Sequence, residues 1–166
     1  MQGGRETKET MALLYAKPVE YAIRALTYLA SHPSSEPLTV HDIADKEGVS
    51  AHHLSKVMKN LSHHKLVHSL RGPGGGYTLI VDPEEISLWR VLECFGFQDQ
   101  LEECALSDTV CSEENPCALH ERWCPVRDEI RKYFQVVTIS ELARIAHHIE
   151  QKKSGHPPLR IALPED

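Results

Sequence analysis

The sequence lacks the features that would direct a protein to a membrane or out of the cell. No apolar run in its 166 residues approaches the length of about 20 that a membrane-spanning helix needs. The first ten residues, MQGGRETKET, contain no charged-then-apolar pattern of a signal peptide. We therefore expect a cytoplasmic protein with no membrane partner, in which residues 1–10 form a disordered extension.

Acidic residues are absent from one long stretch, residues 48–81. The whole chain is acidic, with 24 Asp and Glu against 18 Lys and Arg. Residues 48–81, however, contain four Lys or Arg, five His and no acid. A local basic face matters more to a phosphate backbone than the net charge, so this stretch indicates a nucleic-acid-binding surface. A solvated face that lacks acids by chance is the alternative.

Cysteine is absent from the first 93 residues, and none of the five that follow forms a C-x2-C pair. In a reducing compartment, clustered cysteines are more often metal ligands or redox groups than disulfides. Cys94 lies among apolar neighbours, which predicts a core position. Cys104, Cys111 and Cys117 fall in a segment with little apolar periodicity, which predicts a loop. Their thiolates suit an iron–sulfur cluster, zinc or a cuprous ion. Zinc usually takes tight C-x2-C pairs, but a zinc site and thiols without a cofactor stay open.

The first half of the chain has the pattern of a helix-turn-helix motif. Apolar residues spaced by three and four predict a helix over 18–30. Thr39 and Ser50 are predicted to cap two further helices separated by Gly48, the second covering 51 to about 62. Two short helices joined by such a turn are typical of a helix-turn-helix.

A glycine-rich hairpin is predicted to follow. Residues 66–70 and 77–81 have strand character, and the sequence RGPGGG joins them. This arrangement is typical of a wing. A phosphate-binding loop is the rival interpretation, which the absence of a Lys-Ser/Thr pair and of a following helix disfavours.

The rest of the chain is predicted to be helical around the cysteine loop. In order, we predict a helix over 87–95, a loop over 98–117, a long helix over 119–137, a final helix capped by Ser140 and ending near 150, and a disordered tail over 151–166. The long helix has a wide apolar stripe that needs a partner surface, which favours a homodimer. The predicted fold class is mainly α with a small β wing. It comprises a winged helix-turn-helix DNA-binding domain at 11–82 and a unit at 83–150 that carries the cluster-binding loop and the dimerisation helices.

Several segments resemble one family. They are EYAIRAL at 20–26, LSKV at 54–57, TISEL at 138–142 and, above all, RGPGGGY at 71–77, together with the spacing Cys104-x6-Cys111-x5-Cys117-x2-His120-x2-Trp123. From about residue 13 to 146 the chain resembles the bacterial winged-helix transcription regulators that include the iron–sulfur cluster regulator IscR and the nitric-oxide-sensitive repressor NsrR. The resemblance implies a homodimer on a palindromic double-stranded DNA operator, with a helix in each major groove and a wing in each minor groove.

Candidate DNA contacts follow from this arrangement. A recognition helix presents its exposed N-terminal residues to base edges, and an arginine at a wing tip suits a narrow minor groove. The candidates are Ser50, His52, His53, Ser55, Lys56, Lys59, Arg71, Gly72, Pro73 and Gly74. Family members often carry Glu or Gln where Ser55 and Lys56 stand, so the operator sequence does not transfer.

Candidate cluster ligands also follow from the resemblance. It implies that Cys104, Cys111 and Cys117 bind an iron–sulfur cluster. The fourth ligand would be His120 or, as in other relatives, a carboxylate at the place of Glu20, and we rank His120 first. The match to a histidine favours a 2Fe–2S over a 4Fe–4S cluster.

Cys124 lies four residues after His120 on the same helix face. It is interpreted as a packed small residue, with a role as alternative ligand left open.

The sequence therefore predicts a transcriptional regulator, most simply a repressor. Its operator affinity would respond to redox state, nitric oxide or iron–sulfur status through the cluster. The alternative is a winged-helix regulator without a cluster, which senses a small molecule, a partner protein or thiol oxidation. An enzyme is disfavoured, because no arrangement of nucleophile and base in a pocket is indicated.

Overall fold

The computed structural model describes residues 16–153 except 34–35, 73, 105, 107–109, 111 and 115. Its elements are α1 (Lys17–Ser31), α2 (Val40–Glu47), α3 (Ala51–His63), β1 (Val67–Leu70), β2 (Gly76–Leu79), a 3-10 turn (Pro83–Glu85), α4 (Leu88–Glu93), α5 (Phe97–Glu102), α6 (His120–Val136) and α7 (Ile139–Lys153). The predicted class, mainly helical with a small two-stranded sheet, is confirmed. The predicted extension at 1–10, Pro73, Cys111 and residues 154–166 of the predicted tail lie outside the described residues.

Helices α2 and α3 form the predicted helix-turn-helix. The Thr39 hydroxyl accepts a hydrogen bond from the Asp42 backbone N–H at 3.2 Å, and the Asp42 carboxylate accepts one from the Thr39 N–H at 3.1 Å. This reciprocal capping box satisfies two backbone donors at the start of α2. Gly48 ends α2 with a φ of 62°. Ser50 occupies the predicted N-cap position of α3, but its side chain makes no capping hydrogen bond.

One hydrophobic core joins the helix-turn-helix to the later helices. The buried members include Val19, Ala22, Leu26, Ile43, Leu54, Met58 and Leu61 from α1–α3, and Ile86, Val91, Leu92, Phe134 and Ile139 from the later elements. Each large side chain buried in this way stabilises the fold by about 1.5–3 kcal/mol. Helix α7 packs along α1, and the Ser31 hydroxyl, which donates to the Thr27 carbonyl at 2.8 Å, lies 3.4 Å from the Ala143 carbonyl oxygen. Residues beyond 82 therefore complete the core of the first unit, and the boundary at 82/83 stays a prediction.

The wing is attached to the segment that precedes α2. Strands β1 and β2 are antiparallel, with Val67 opposite Leu79. Leu38 pairs with Tyr77 through two backbone hydrogen bonds of 3.1 and 2.8 Å. A Cβ on Gly76 would lie 2.6 Å from the Leu38 carbonyl oxygen. Only glycine therefore allows this close approach, which holds the base of the wing against the helix-turn-helix.

Two predictions for the second half are wrong in detail. Residues 97–102, most of which were predicted to be loop, form α5. This helix has only six residues, of which Leu101 is buried, so it is too short to show a clear apolar period. The predicted helix over 87–95 ends earlier, at Glu93, and a turn with Gly96 at a φ of 68° follows it.

The final helix differs at both ends. Its first backbone donors are capped by Thr138, whose hydroxyl accepts from the Glu141 N–H at 3.3 Å, and not by the predicted Ser140. The helix also continues to Lys153, through residues predicted to be disordered. A hydrogen bond of 2.8 Å between the side chains of His147 and Gln151, one turn apart, supports this last part. None of the described helices is both long and apolar enough to cross a bilayer.

Candidate DNA interface and cysteine loop

Helix α3 presents a basic stripe opposite its buried face. Leu54, Val57, Met58 and Leu61 are buried. On the other side, His52, Lys56, Lys59 and His63 are exposed and recur at four, three and four residues. Among the described residues, no salt bridge engages either lysine. The stripe therefore offers uncompensated positive charge to a polyanion.

Four of the predicted α3 contacts, His52, His53, Lys56 and Lys59, are exposed. His53 and Lys56 line a groove of about 410 Å³ together with Tyr21 and Phe95. Ser55 is half-buried.

His63 belongs to the basic stripe but was not among the predicted contacts, because the N-terminal residues of a recognition helix are the ones expected to reach base edges. The spacing of four residues from Lys59 is the signal that would have identified it.

Arg71, Gly72 and Gly74 are exposed at the wing tip. Arg71 follows β1 directly, and Gly72 and Gly74 have φ angles of 97° and 76°. The Gly75 N–H donates to the Gly72 carbonyl at 2.9 Å and closes the turn. No salt bridge of the described residues involves Arg71, so its guanidinium is available to a phosphate or a groove floor.

The cysteine loop runs between α5 and α6. Cys104 follows α5 by two residues, Cys117 precedes α6 by three, and both side chains are half-buried. An antiparallel bridge between Glu103 and Val110 folds the loop back on itself. The Leu106 N–H donates to Cys104 Sγ at 3.5 Å.

His120 is the first residue of α6. Its backbone N–H donates to the Cys117 carbonyl at 3.0 Å, which sets these two candidate ligands in one turn. Cys111 lies outside the described residues.

The described part of the loop does not form a complete metal site on its own. No three His, Cys, Asp or Glu side chains among the described residues converge on a point that could hold a metal ion. The surroundings of α6 nevertheless fit an anionic group. Trp123 Nε1 is a buried donor without a hydrogen-bond partner, and Arg127 Nε and Nη1 are buried donors whose nearest carboxylates, on Asp128 and Glu102, lie 3.6 and 4.0 Å away, beyond hydrogen-bond distance. Buried unsatisfied donors are costly, and the thiolates and sulfides of a cluster would supply acceptors for them.

Glu20 lies in a chain of ion pairs on α1. Its carboxylate is 3.1 Å from Lys17 Nζ and 3.4 Å from Arg24 Nη1, and Arg24 Nε is 2.9 Å from Glu47. Two cations therefore already engage this carboxylate. It would have to leave them to bind a metal, whereas His120 stands next to the loop.

The two remaining cysteines occupy different surroundings. Cys94 is 8% exposed, and its thiol donates to the Arg90 carbonyl at 3.2 Å, which confirms the predicted core position. Burial raises the pKa of the Cys94 thiol to about 11, so it stays protonated and unreactive near neutral pH. Cys124 is half-buried, and its Sγ is 3.6 Å from both ring nitrogens of His120.

An ion-pair cluster ties the start of the loop to α6. The Arg131 guanidinium donates a hydrogen bond to the Glu102 carboxylate, and Arg127 Nη1 lies 4.0 Å from the same group. Glu102 is the last residue of α5 and stands two residues before Cys104. Two arginines of α6 therefore contact the residue at which the loop begins.

Helix α6 and the residue before it carry an exposed apolar row. Leu119, Val126 and Tyr133 recur every seven residues and are 42%, 50% and 56% exposed, and Val136 continues the row at 68%. A seven-residue apolar repeat is typical of the seam between two packed helices. None of the described residues packs over this row.

Comparisons with known proteins agree on one family. The model of the Rrf2 family, described as iron-dependent transcriptional regulator, matches residues 15–145. A protein of Aquifex aeolicus (strain VF5) described as an HTH-type transcriptional regulator is 35% identical over 135 residues, which cover 80% of this chain and 93% of that protein. The HTH-type transcriptional regulator IscR of Pectobacterium atrosepticum is 30% identical over 122 residues, which cover 74% of each chain.

A solved structure shares the fold. CymR, described as the global cysteine regulator of B. subtilis, superposes with a TM-score of 0.66 at 24% identity. The match covers 79% of this chain and 96% of that chain.

Proposed function

The chain belongs to the Rrf2 family of transcriptional regulators, and we propose that it is a homodimeric repressor whose operator affinity is controlled by an iron–sulfur cluster on the cysteine loop. Its relatives are named as regulators, so its function is DNA-binding and not enzymatic. The single observation that supports the proposal for the cluster is that Cys117 and His120 lie in one turn at the start of α6, where the His120 N–H donates to the Cys117 carbonyl at 3.0 Å.

The basic stripe of α3 is proposed to enter the major groove. His52 and Lys56 would approach base edges, with His53 and Ser55 at the sides, and Lys59 would contact a phosphate. Ser50 would contact DNA at the start of the helix. At the wing, Arg71, Gly72, Pro73 and Gly74 would reach the minor groove. Because the target is DNA, we propose that the protein acts in the cytoplasm.

The apolar row of α6 is proposed to bury against the same row of a second copy. Two copies related by a twofold axis present two recognition helices, which match a palindromic operator with half-sites about 34 Å apart. This arrangement explains why Val126 and Tyr133, two large side chains on one helix face, lie exposed in a single copy.

Cys104, Cys111, Cys117 and His120 are the proposed ligands, and a 2Fe–2S cluster is favoured. When bound, the cluster supplies a group that is sensitive to electrons, nitric oxide and iron supply. The Glu102 carboxylate then connects the loop to Arg127 and Arg131 of α6. Through this link, the state of the loop would shift the populations of DNA-competent and DNA-incompetent dimers.

The test is anaerobic purification of the whole chain, of Cys117→Ser and of the control Cys94→Ala. We expect brown wild-type protein with bound iron and acid-labile sulfide, and an operator affinity that changes when the cluster is destroyed. Cys117→Ser should lose the iron, the sulfide and the change in affinity, whereas Cys94→Ala should keep all three. Colourless, iron-free wild-type protein with an unchanged operator affinity would contradict the proposal.

A second candidate is a regulator that responds to thiol oxidation without a cluster. It is supported by the likeness in fold to CymR of Staphylococcus aureus, which has been solved in an oxidized form. It is also supported by the lack of a converging three-residue metal site among the described residues. In this case iron-free wild-type protein should change its operator affinity on mild oxidation and recover with a thiol reductant. Cys104→Ser and Cys117→Ser should remove that response.

A further inference from the structure

We propose that Cys124 and His120 form an interchangeable pair for the fourth ligand position of the cluster, so that Cys124 binds the iron when the imidazole is absent or displaced. The inference rests on the proposed cluster site. It concerns a cysteine that lies outside the loop and outside the three-cysteine, one-histidine ligand set.

The first observation is that the two side chains are in contact. His120 and Cys124 are separated by one helical turn and share a face of α6. The thiol sulfur lies 3.6 Å from Nδ1 and 3.6 Å from Nε2 of the ring. Both side chains are half-buried. A change of side-chain rotamer therefore suffices to exchange a nitrogen donor for a sulfur donor in nearly the same place.

The second observation is the proline that follows the pair. Pro125 lies inside α6 and has no backbone N–H, so the Glu121 carbonyl cannot receive its usual helical hydrogen bond. The turn that carries His120 and Cys124 is therefore held less tightly to the rest of the helix than an ordinary turn. This freedom allows either donor to approach the loop.

The third observation is the charge beside the pair. Replacing a neutral imidazole by a thiolate adds one negative charge to the site. Arg127 lies three residues beyond Cys124 on the same side of α6, and its guanidinium is 3.6 Å from the Asp128 carboxylate and 4.0 Å from the Glu102 carboxylate. A cation that is shared with these two carboxylates offsets the added charge in part.

Cys94 is a cysteine that is not proposed as a ligand, and its surroundings differ from those of Cys124. It packs in the core, where its thiol donates to its own helix at the Arg90 carbonyl. Cys124 instead contacts a candidate ligand at the end of the loop. The two cysteines therefore provide a matched pair for substitution.

The experiment compares wild type, Cys124→Ala, His120→Ala and the double variant, each as the full chain reconstituted with iron and sulfide under anaerobic conditions. The readouts are iron and sulfide per chain, the electron paramagnetic resonance spectrum of the reduced cluster, its midpoint potential and the rate of iron loss to a chelator. Cys94→Ala is the control, and circular dichroism verifies that each variant is folded. If His120→Ala does not fold, His120→Asn replaces it in both the single and the double variant.

Wild type and Cys124→Ala should share one spectrum. His120→Ala should keep near wild-type iron with an altered spectrum and a lower potential, because replacing a histidine ligand by a thiolate lowers the potential. The double variant should lose iron to the chelator at least tenfold faster than His120→Ala. The inference is wrong if His120→Ala is as empty as the double variant, or if both keep the same cluster. Wild-type protein that takes up no iron would instead overturn the proposed function, and this inference with it.

Discussion

The helix-turn-helix and wing form one region of the molecule, and the cysteine loop and α6 form a second. The two regions differ in how many of their polar groups and apolar side chains find partners within the same chain. In the first region, Thr39 and Asp42 satisfy each other at the start of α2, and Leu38 holds the base of the wing. In the second region, Trp123 Nε1 is a buried donor without a hydrogen-bond partner, and Tyr133 is 56% exposed on an apolar row. The proposed cluster and the proposed second copy would supply partners to these two side chains. Regulation is therefore expected to act on the second region.

The largest effect on operator affinity should come from disrupting the proposed contact between the α6 helices of two copies. Tyr133→Asp places a charge in the apolar row, and we expect the dimer to dissociate. Operator affinity should then fall by about 10²- to 10⁴-fold, because two linked half-site contacts become independent. Sedimentation equilibrium and electrophoretic mobility shift measure the two effects. Gln135→Asp, on an exposed polar position of the same helix, is the control. A stable dimer of Tyr133→Asp would show that the apolar row of α6 does not form the dimer contact.

A smaller effect is expected from a substitution at the base of the wing. Gly76→Ala brings a Cβ within 2.6 Å of the Leu38 carbonyl oxygen, so the wing and the segment before α2 must separate. The free energy of unfolding should fall by on the order of 1–3 kcal/mol, as measured by urea denaturation. Ser69→Ala, at an exposed position of β1, should change it little. If Gly76→Ala is as stable as wild type, the wing is not held in the way described.

The smallest effect is expected at a single DNA contact. Arg71→Ala removes one cation from the wing tip, and operator affinity should fall by roughly five- to tenfold with a shallower salt dependence. Stability should not change, because Arg71 is exposed and makes no salt bridge among the described residues. Titration of the operator at several salt concentrations measures both quantities. Lys132→Ala, an exposed cation on α6, is the comparison. An equal loss of operator affinity in the two variants would mean that Arg71 at the wing tip does not contact the operator specifically.

Most of the helix-turn-helix and wing could be predicted because the signals in the sequence are local. The apolar stripe of α3, the cap at Thr39 and the turn at Gly48 each depend on a few neighbouring residues. The glycine-rich sequence between β1 and β2 predicted the hairpin for the same reason. The close approach of Leu38 to Gly76 was not predictable, because it joins segments that are distant in the sequence.

The second region was harder to predict because tertiary contacts determine its details. Thr138 and Ser140 are both suitable caps by residue type. The choice of Thr138 follows from backbone hydrogen bonds of 2.9 Å between Ile139 and Ile86 and between Leu88 and Val137, which hold this segment extended. No local pattern contains that information. The candidate ligands came from family resemblance, and their convergence depends on the folded loop and on what it binds.

The hydrogen-bonded pair of Leu38 and Tyr77 has a consequence for how operators are distinguished. It connects the wing to the segment that leads into the helix-turn-helix, so the wing and α3, which are proposed to approach the minor and the major groove, are expected to keep a fixed separation. A base-pair insertion inside a half-site should therefore abolish operator binding. An insertion between the half-sites should be tolerated better, because only the proposed contact between the two copies would have to adjust.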